Sequence, residues 1–220
     1  MPAGRLKECA TCYWRGLLQR RLEIFKAGLK SPKHRSDLEE FAGWIAEKSG
    51  PASAAIKLRK YLALFIEIGE KWGDIPSYED LITHFGPSVV QKNLVLFRWL
   101  RQSGRVTENK EFRTRETEKQ LVSRLLGSFV DQSDAGALIH TYHGHLLEGR
   151  PKQPRSIRLA LSPAAAFLKF IGGKSRETLT QQNLDKFLLE KPGQRAALTG
   201  FVNFLRREFK YDLSIKKLGP

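Results

Sequence analysis

Apolar residues recur along this chain at the three-to-four-residue spacing of an amphipathic helix. From Ala54 to Ile68 the spacing places Ile56, Tyr61, Leu64, Phe65 and Ile68 on one helical stripe, and Gly69 to Pro76 ends it. Ser77 is suited to cap a short helix reaching Phe85, with Glu79 and Asp80 in the first turn, where the positive end of the helix dipole favours acids. Gly86-Pro87 closes that helix. Ser88 to Gln102 then predicts another, with a stripe of Val89, Leu96, Trp99 and Leu100.

The same order of events returns about a hundred residues later. A helix from Ile157 to Ile171 meets Gly172-Gly173, a Thr180-capped segment covers Gln181 to Leu189, Pro192-Gly193 breaks the pattern, and a helix covers Gln194 to Phe209. In this register Leu81 faces Leu184, Pro87 faces Pro192, Trp99 faces Phe204, Leu100 faces Leu205 and Arg101 faces Arg206. A self-match of this kind predicts two copies of one helical domain. Each copy opens with a further helix, Asp37 to Lys48 in the first and Asp134 to Leu147 in the second. Between the copies, Val106 to Arg113 is charged and predicts a loop. Thr114 to Val130, with Leu121, Leu125, Leu126 and Phe129 at helical spacing, predicts a connecting helix. Pro163 is expected to kink or restart the long helix that contains it.

The later copy contains Ser156-Ile157-Arg158, Phe167-Leu168-Lys169-Phe170, a run from Leu179 to Leu188 that opens on Leu-Thr, and a run from Gln194 to Leu205 rich in small residues and ending in Phe-Leu. In these residues it resembles the core-binding domain of the tyrosine recombinase (phage integrase) superfamily, and the first copy resembles it less closely. The resemblance implies SAM-like helical bundles that grip DNA as half of a clamp, basic and polar side chains meeting phosphates. The family's catalysis uses an Arg, a His-x-x-Arg element and a nucleophilic Tyr on a further domain. No His of this chain has Arg at the third position after it. Strand cleavage by this chain is therefore not expected.

Charge sharpens the choice of partner. The 220 residues carry 38 Lys and Arg against 23 Asp and Glu, a formal net charge of +15. Such an excess favours a polyanionic partner. It is concentrated at both ends, with +7 over residues 1–35, zero over 36–133 and +8 over 134–220. No apolar run approaches the roughly 18 to 20 residues needed to cross a bilayer, and the first fifteen residues lack the hydrophobic core of a signal peptide. Tyr13 to Leu29 partly fits a basic helix lying on a membrane surface, but charge held in two regions fits nucleic acid better. A cytosolic protein is expected, in a reducing compartment, since the two cysteines cannot form a disulfide framework.

The residues chosen for DNA contact are Lys152, Arg155 and Arg158 at the start of one second-copy helix, and Gln194, Arg195, Arg206, Arg207 and Lys210 around its last helix. Lys57, Arg59, Lys60, Lys92, Arg98 and Arg101 are their counterparts in the first copy. Lys and Arg at helix ends neutralise phosphates and release counterions, which supplies affinity without reading sequence. An ordinary solvated basic face is the competing account. Cys9-Ala-Thr-Cys12 is half of a zinc site, with His34 a third ligand only by coincidence of folding. His140, His143 and His145 share HTYHGH, yet no ligand-spaced carboxylate accompanies them, so a polar helix end is the better account. Trp44, Trp72, Trp99 and Phe97 could stack on bases, but their spacing among Leu and Ile favours core packing. No Gly-rich phosphate loop and no nucleophile, base and orienter trio is present.

The expectation is thus an all-α protein: a basic N-terminal arm over 1–35 with its CxxC, a SAM-like unit over 36–105, a linker with a connecting helix over 106–133, and a second, basic SAM-like unit over 134–220. Its expected role is non-catalytic binding of double-stranded DNA, with no cofactor and no membrane, as an accessory or regulatory factor acting beside a recombinase or as an oligomer. Two alternatives remain open at this point: the N-terminal part of a recombinase whose catalytic domain lies elsewhere, and a helical protein-interaction module.

Overall fold

The computed structural model describes residues 9–129, 133–148, 152–172 and 176–215, and every regular element among them is helical. The chain divides into two compact units, residues 1–110 and 111–220. The first holds α1 (Ala10–Ala27), α2 (Pro32–Trp72), α3 (Tyr78–Phe85), α4 (Pro87–Lys92) and α5 (Leu94–Gln102). The second holds α6 (Lys110–Leu126), α7 (Asp134–Leu147), α8 (Pro154–Phe170), α9 (Gln181–Glu190) and α10 (Arg195–Phe209), α6 starting at the boundary residue.

This division moves two of the expected segments. The N-terminal arm is no separate piece, because α1 lies along α2, burying Leu22 and Leu29, with the Arg21 guanidinium donating to the Ala55 carbonyl and Lys26 pairing with Glu39 at 2.9 Å. The expected linker helix, α6, belongs to the second unit, whose core takes in Val122 and Phe129 with Leu125 and Leu126 packed against it. Counted by these units, 1–110 carries 19 basic against 12 acidic residues and 111–220 carries 19 against 11, so both are strongly basic. The neutral stretch 36–133 spans the division between the two units.

Local chemistry explains the breaks. α2 is two limbs joined at Gly50 (φ 80°, ψ 158°), ahead of Pro51. Proline pushes the residue before it out of the helical region, and glycine accepts the positive φ without a side-chain clash. The helix expected over Ser88 to Gln102 is split at Asn93, whose φ of −121° and ψ of 34° leave the helical region while its side-chain amide donates to the Val89 carbonyl at 2.9 Å. The helix does not restart at Pro163: α8 continues through it, and its ring is buried. Ser77 and Thr180 cap α3 and α9 by accepting from the N–H groups of Asp80 and Asn183 at 3.1 and 3.3 Å.

Helix order matches between the units: α1, the two limbs of α2, α3 and α4–α5 run in the same succession as α6, α7, α8, α9 and α10. Leu81 and Leu184, Trp99 and Phe204, and Leu100 and Leu205 are all buried in their own units. Phe41 on the first limb of α2 meets Trp99 on α5 with ring centroids 5.2 Å apart, and Tyr142 on α7 meets Phe204 on α10 at 4.9 Å. Each such side chain contributes about 1.5 to 3 kcal/mol by leaving water. One stripe assignment is corrected: Ile56 is 61% exposed, and α2 turns Ala54, Ala55 and Leu58 inward beside the expected Tyr61, Phe65 and Ile68.

Behind α5, Arg105 donates to Asp37 through Nε at 2.9 Å and to Glu40 at 2.8 Å, while its guanidinium covers the Trp99 ring at 4.5 Å. Asp37 is 2% exposed, so its charge depends on that partner. Arg105→Ala should cost roughly 3 kcal/mol in urea unfolding because a buried carboxylate is left alone. Arg101→Ala, which removes a pair with Glu108 at 2.7 Å whose arginine is half exposed, should cost less, about 1 kcal/mol.

Candidate nucleic-acid interface

The second unit has a concave surface on the outward side of α10. Burial of Leu198, Phe201, Val202, Phe204 and Leu205 fixes the rotation of that helix. Arg195, Thr199, Asn203 and Arg206 then follow one another at helical spacing along the opposite side. They line a groove of about 630 Å³ together with Gly193 and Ser214, and no Asp or Glu lines it among the described residues. Thr199 and Asn203 were not among the residues chosen from the sequence. Their i+4 and i+8 positions from Arg195 were the available signal.

Ala196 is exposed on the groove side. On the inner side of α10, Gly200 is a close-approach position: a Cβ there would stand 3.1 Å from the Tyr142 hydroxyl. Past the helix, Lys210 takes a left-handed conformation (φ 59°) and its ammonium donates to the Arg207 carbonyl at 3.0 Å, setting a further cation at the C-terminal end.

The chain matches no family model, no curated protein and no solved structure.

The chosen residues separate into distinct groups. Arg195 and Arg206 share the groove, Arg207 is exposed on the next turn side, and Gln194 ends the 3₁₀ turn (Pro192–Gln194) that forms one wall. Lys152 and Arg155 are exposed at the N-terminal end of α8, where helix N–H groups favour anions, but they do not line the groove. Arg158 is turned to another task. Its guanidinium grips Glu118 of α6 through Nε and also donates from NH2 at 3.3 Å, and this carboxylate raises the Arg158 pKa above its ordinary value.

In the first unit the Lys60 ammonium donates to the Lys92 carbonyl at 2.6 Å, which ties the second limb of α2 to the end of α4. Lys57, Arg59 and Arg98 are exposed, and Arg101 is paired with Glu108. Trp99 and Phe97 are core residues, and Trp44 and Trp72 are half-buried against Phe41 and Phe85, so none of the four offers an open stacking face.

The histidines do not assemble a metal centre; no group of three or more His, Cys, Asp or Glu able to hold an ion occurs among the described residues. His143 is half-buried, and that burial, with His140 nearby, lowers its pKa from the ordinary value. His145 packs on Phe204 at 5.1 Å between ring centroids and lies 3.4 Å from Glu148. His34 is fully buried in the first unit with its ring against Gly69. No helix among the described residues is long and apolar enough to cross a membrane.

Because Arg158 is committed to Glu118, whose side chain is 14% exposed, Arg158→Ala should lower the stability of the second unit by about 1 to 3 kcal/mol. Calorimetric unfolding measures that loss. Affinity for a polyanion, compared well below the melting temperature, should change less than twofold.

Proposed function

We propose that this chain binds nucleic acid, duplex DNA foremost, through its phosphate backbone and without chemistry of its own. The observation that carries the reading is the α10 groove, in which Arg195 and Arg206 sit with the hydroxyl of Thr199 and the amide of Asn203 and which no acid lines among the described residues. Arginine presents a planar fork of donors that matches a phosphate, and uncharged donors between two arginines hold the sugar-phosphate path in register. Exposed Arg155, Arg207 and Lys210 extend the positive field beyond the groove. The net charge of +15 supplies long-range attraction.

The first unit adds a second, weaker contact edge through Lys57, Arg59, Lys60, Lys92 and Arg98. Two modest sites on one chain raise the effective concentration of each near a long polyanion. The resemblance of residues 156–205 to the recombinase core-binding domain supports a place in DNA recombination or integration, as a factor that works beside a recombinase or as an oligomer. SAM-like bundles in tandem are the architecture that goes with this reading.

Binding to a random-sequence fluorescent duplex, titrated at several salt concentrations, tests the proposal. The wild-type chain should bind with micromolar or tighter affinity that falls steeply with salt. Arg155→Ala, Arg195→Ala, Arg206→Ala and Arg207→Ala combined should weaken binding and flatten the log–log salt slope by about 3 to 4, close to one per lost phosphate contact. Absence of binding at low salt overturns the reading. Salt-insensitive self-association in its place would assign these helices to protein interaction.

A further inference from the structure

The cysteine pair is the motif that nucleic-acid binding leaves unexplained. Cys9 and Cys12 are the only cysteines of the chain. Cys9 is the cap of α1: its backbone is extended (φ −68°, ψ 155°), and the Cys12 N–H donates to its Sγ at 3.3 Å. The two sulfurs are 3.2 Å apart and both residues are exposed. A disulfide bond needs about 2.05 Å, so a small rotation of either side chain closes the remaining gap.

The surroundings favour a reactive thiolate at Cys9 and a resolving thiol at Cys12. The Cys12 backbone N–H and then its thiol hold the Cys9 pKa below the ordinary thiol value, with smaller help from Thr11 and the Arg15 charge. A sulfur at a helix start also lies at the positive end of the helix dipole. No acid stands in the first turn of α1, and Arg15, Arg20 and Arg21 follow on the same helix. Zinc fits less well. It needs four ligands, no third His, Cys, Asp or Glu joins the pair among the described residues, and His34 is fully buried.

We infer that Cys9 and Cys12 form a thiol–disulfide exchange site whose substrate is a small anionic disulfide of the glutathione class. The Cys9 thiolate attacks one sulfur of that disulfide, the sulfur–sulfur bond breaks, and one thiolate leaves with the electron pair. Cys12 loses its proton to solvent and attacks the Cys9 sulfur of the mixed disulfide. The second small thiolate leaves, and Cys9 and Cys12 are bonded. The protein dithiol is oxidised by two electrons and the small disulfide is reduced to two thiols, so the exchange balances and runs backward in excess thiol. The basic α1 helix attracts the carboxylates of such a substrate. This inference is independent of the nucleic-acid reading.

Incubation of the full chain with glutathione disulfide, followed by alkylation and peptide mass mapping, tests it. The wild type should lose two hydrogens, yield a cross-linked Cys9–Cys12 peptide and recover with dithiothreitol. Cys12→Ser should stop with one glutathione on Cys9, and Cys9→Ser should react with glutathione disulfide several-fold more slowly than Cys12→Ser does. Helix content by circular dichroism should be the same in all three. Unreacted thiols, disulfide-bridged dimers as the main product, equal rates for the two variants, or zinc retained by the purified chain with both thiols protected would each overturn the inference.

Discussion

Burial of the aromatic and aliphatic ridge on the last helix of each unit is the constraint on which the rest of the structure depends. Trp99 with Leu100, and Phe204 with Leu205, must leave water, and the helix that carries them has only one rotation that achieves this. Phe41 on the first limb of α2 meets Trp99, and Tyr142 on α7 meets Phe204. Once α10 is rotated this way, its polar side is committed outward. The positions of Arg195, Thr199, Asn203 and Arg206 in one groove are a consequence of where Phe201 and Phe204 pack.

Charge is handled differently at different depths. Near the cores, arginines act as structural ties: Arg105 holds Asp37 and Glu40 beneath Trp99, and Arg158 holds Glu118 between α8 and α6. A guanidinium suits this work because its several donors satisfy a carboxylate that has lost its water. Farther out, Arg155, Arg206 and Arg207 are left exposed. The same residue type thus serves stability in one place and long-range attraction in another. Net charge alone does not separate the two.

At α1 a different chemistry shares the same basic setting. A helix start presents N–H groups that need an acceptor, and here a cysteine sulfur takes the role more often filled by serine or aspartate. That choice brings a second sulfur within 3.2 Å, since the residue three positions on lies above the cap. The Arg15 charge adds a smaller push toward the thiolate.

Much of this was legible in the sequence because helical periodicity and caps act over a few residues. The all-helical class, the Ser77 and Thr180 caps, the break at Gly86-Pro87 and the inward Leu81, Leu184, Trp99 and Phe204 follow from local spacing and local chemistry. Unit boundaries did not follow, since α1 and α6 are amphipathic enough to stand alone and only their partners, α2 and the core around Val122, decide where they belong. Isolated spacing also misjudged Ile56, whose side of α2 faces water, and Pro163, which the packed helix tolerates. The roles of individual cations were the least legible part. Arg158 and Arg206 look alike along the chain, and only the approach of Glu118 to one and the open groove beside the other distinguish a structural tie from an exposed cation. Sequence by itself determined which residues could form helices and which were charged. Tertiary structure decided which charges are already answered, because that depends on carboxylates brought near from tens of residues away.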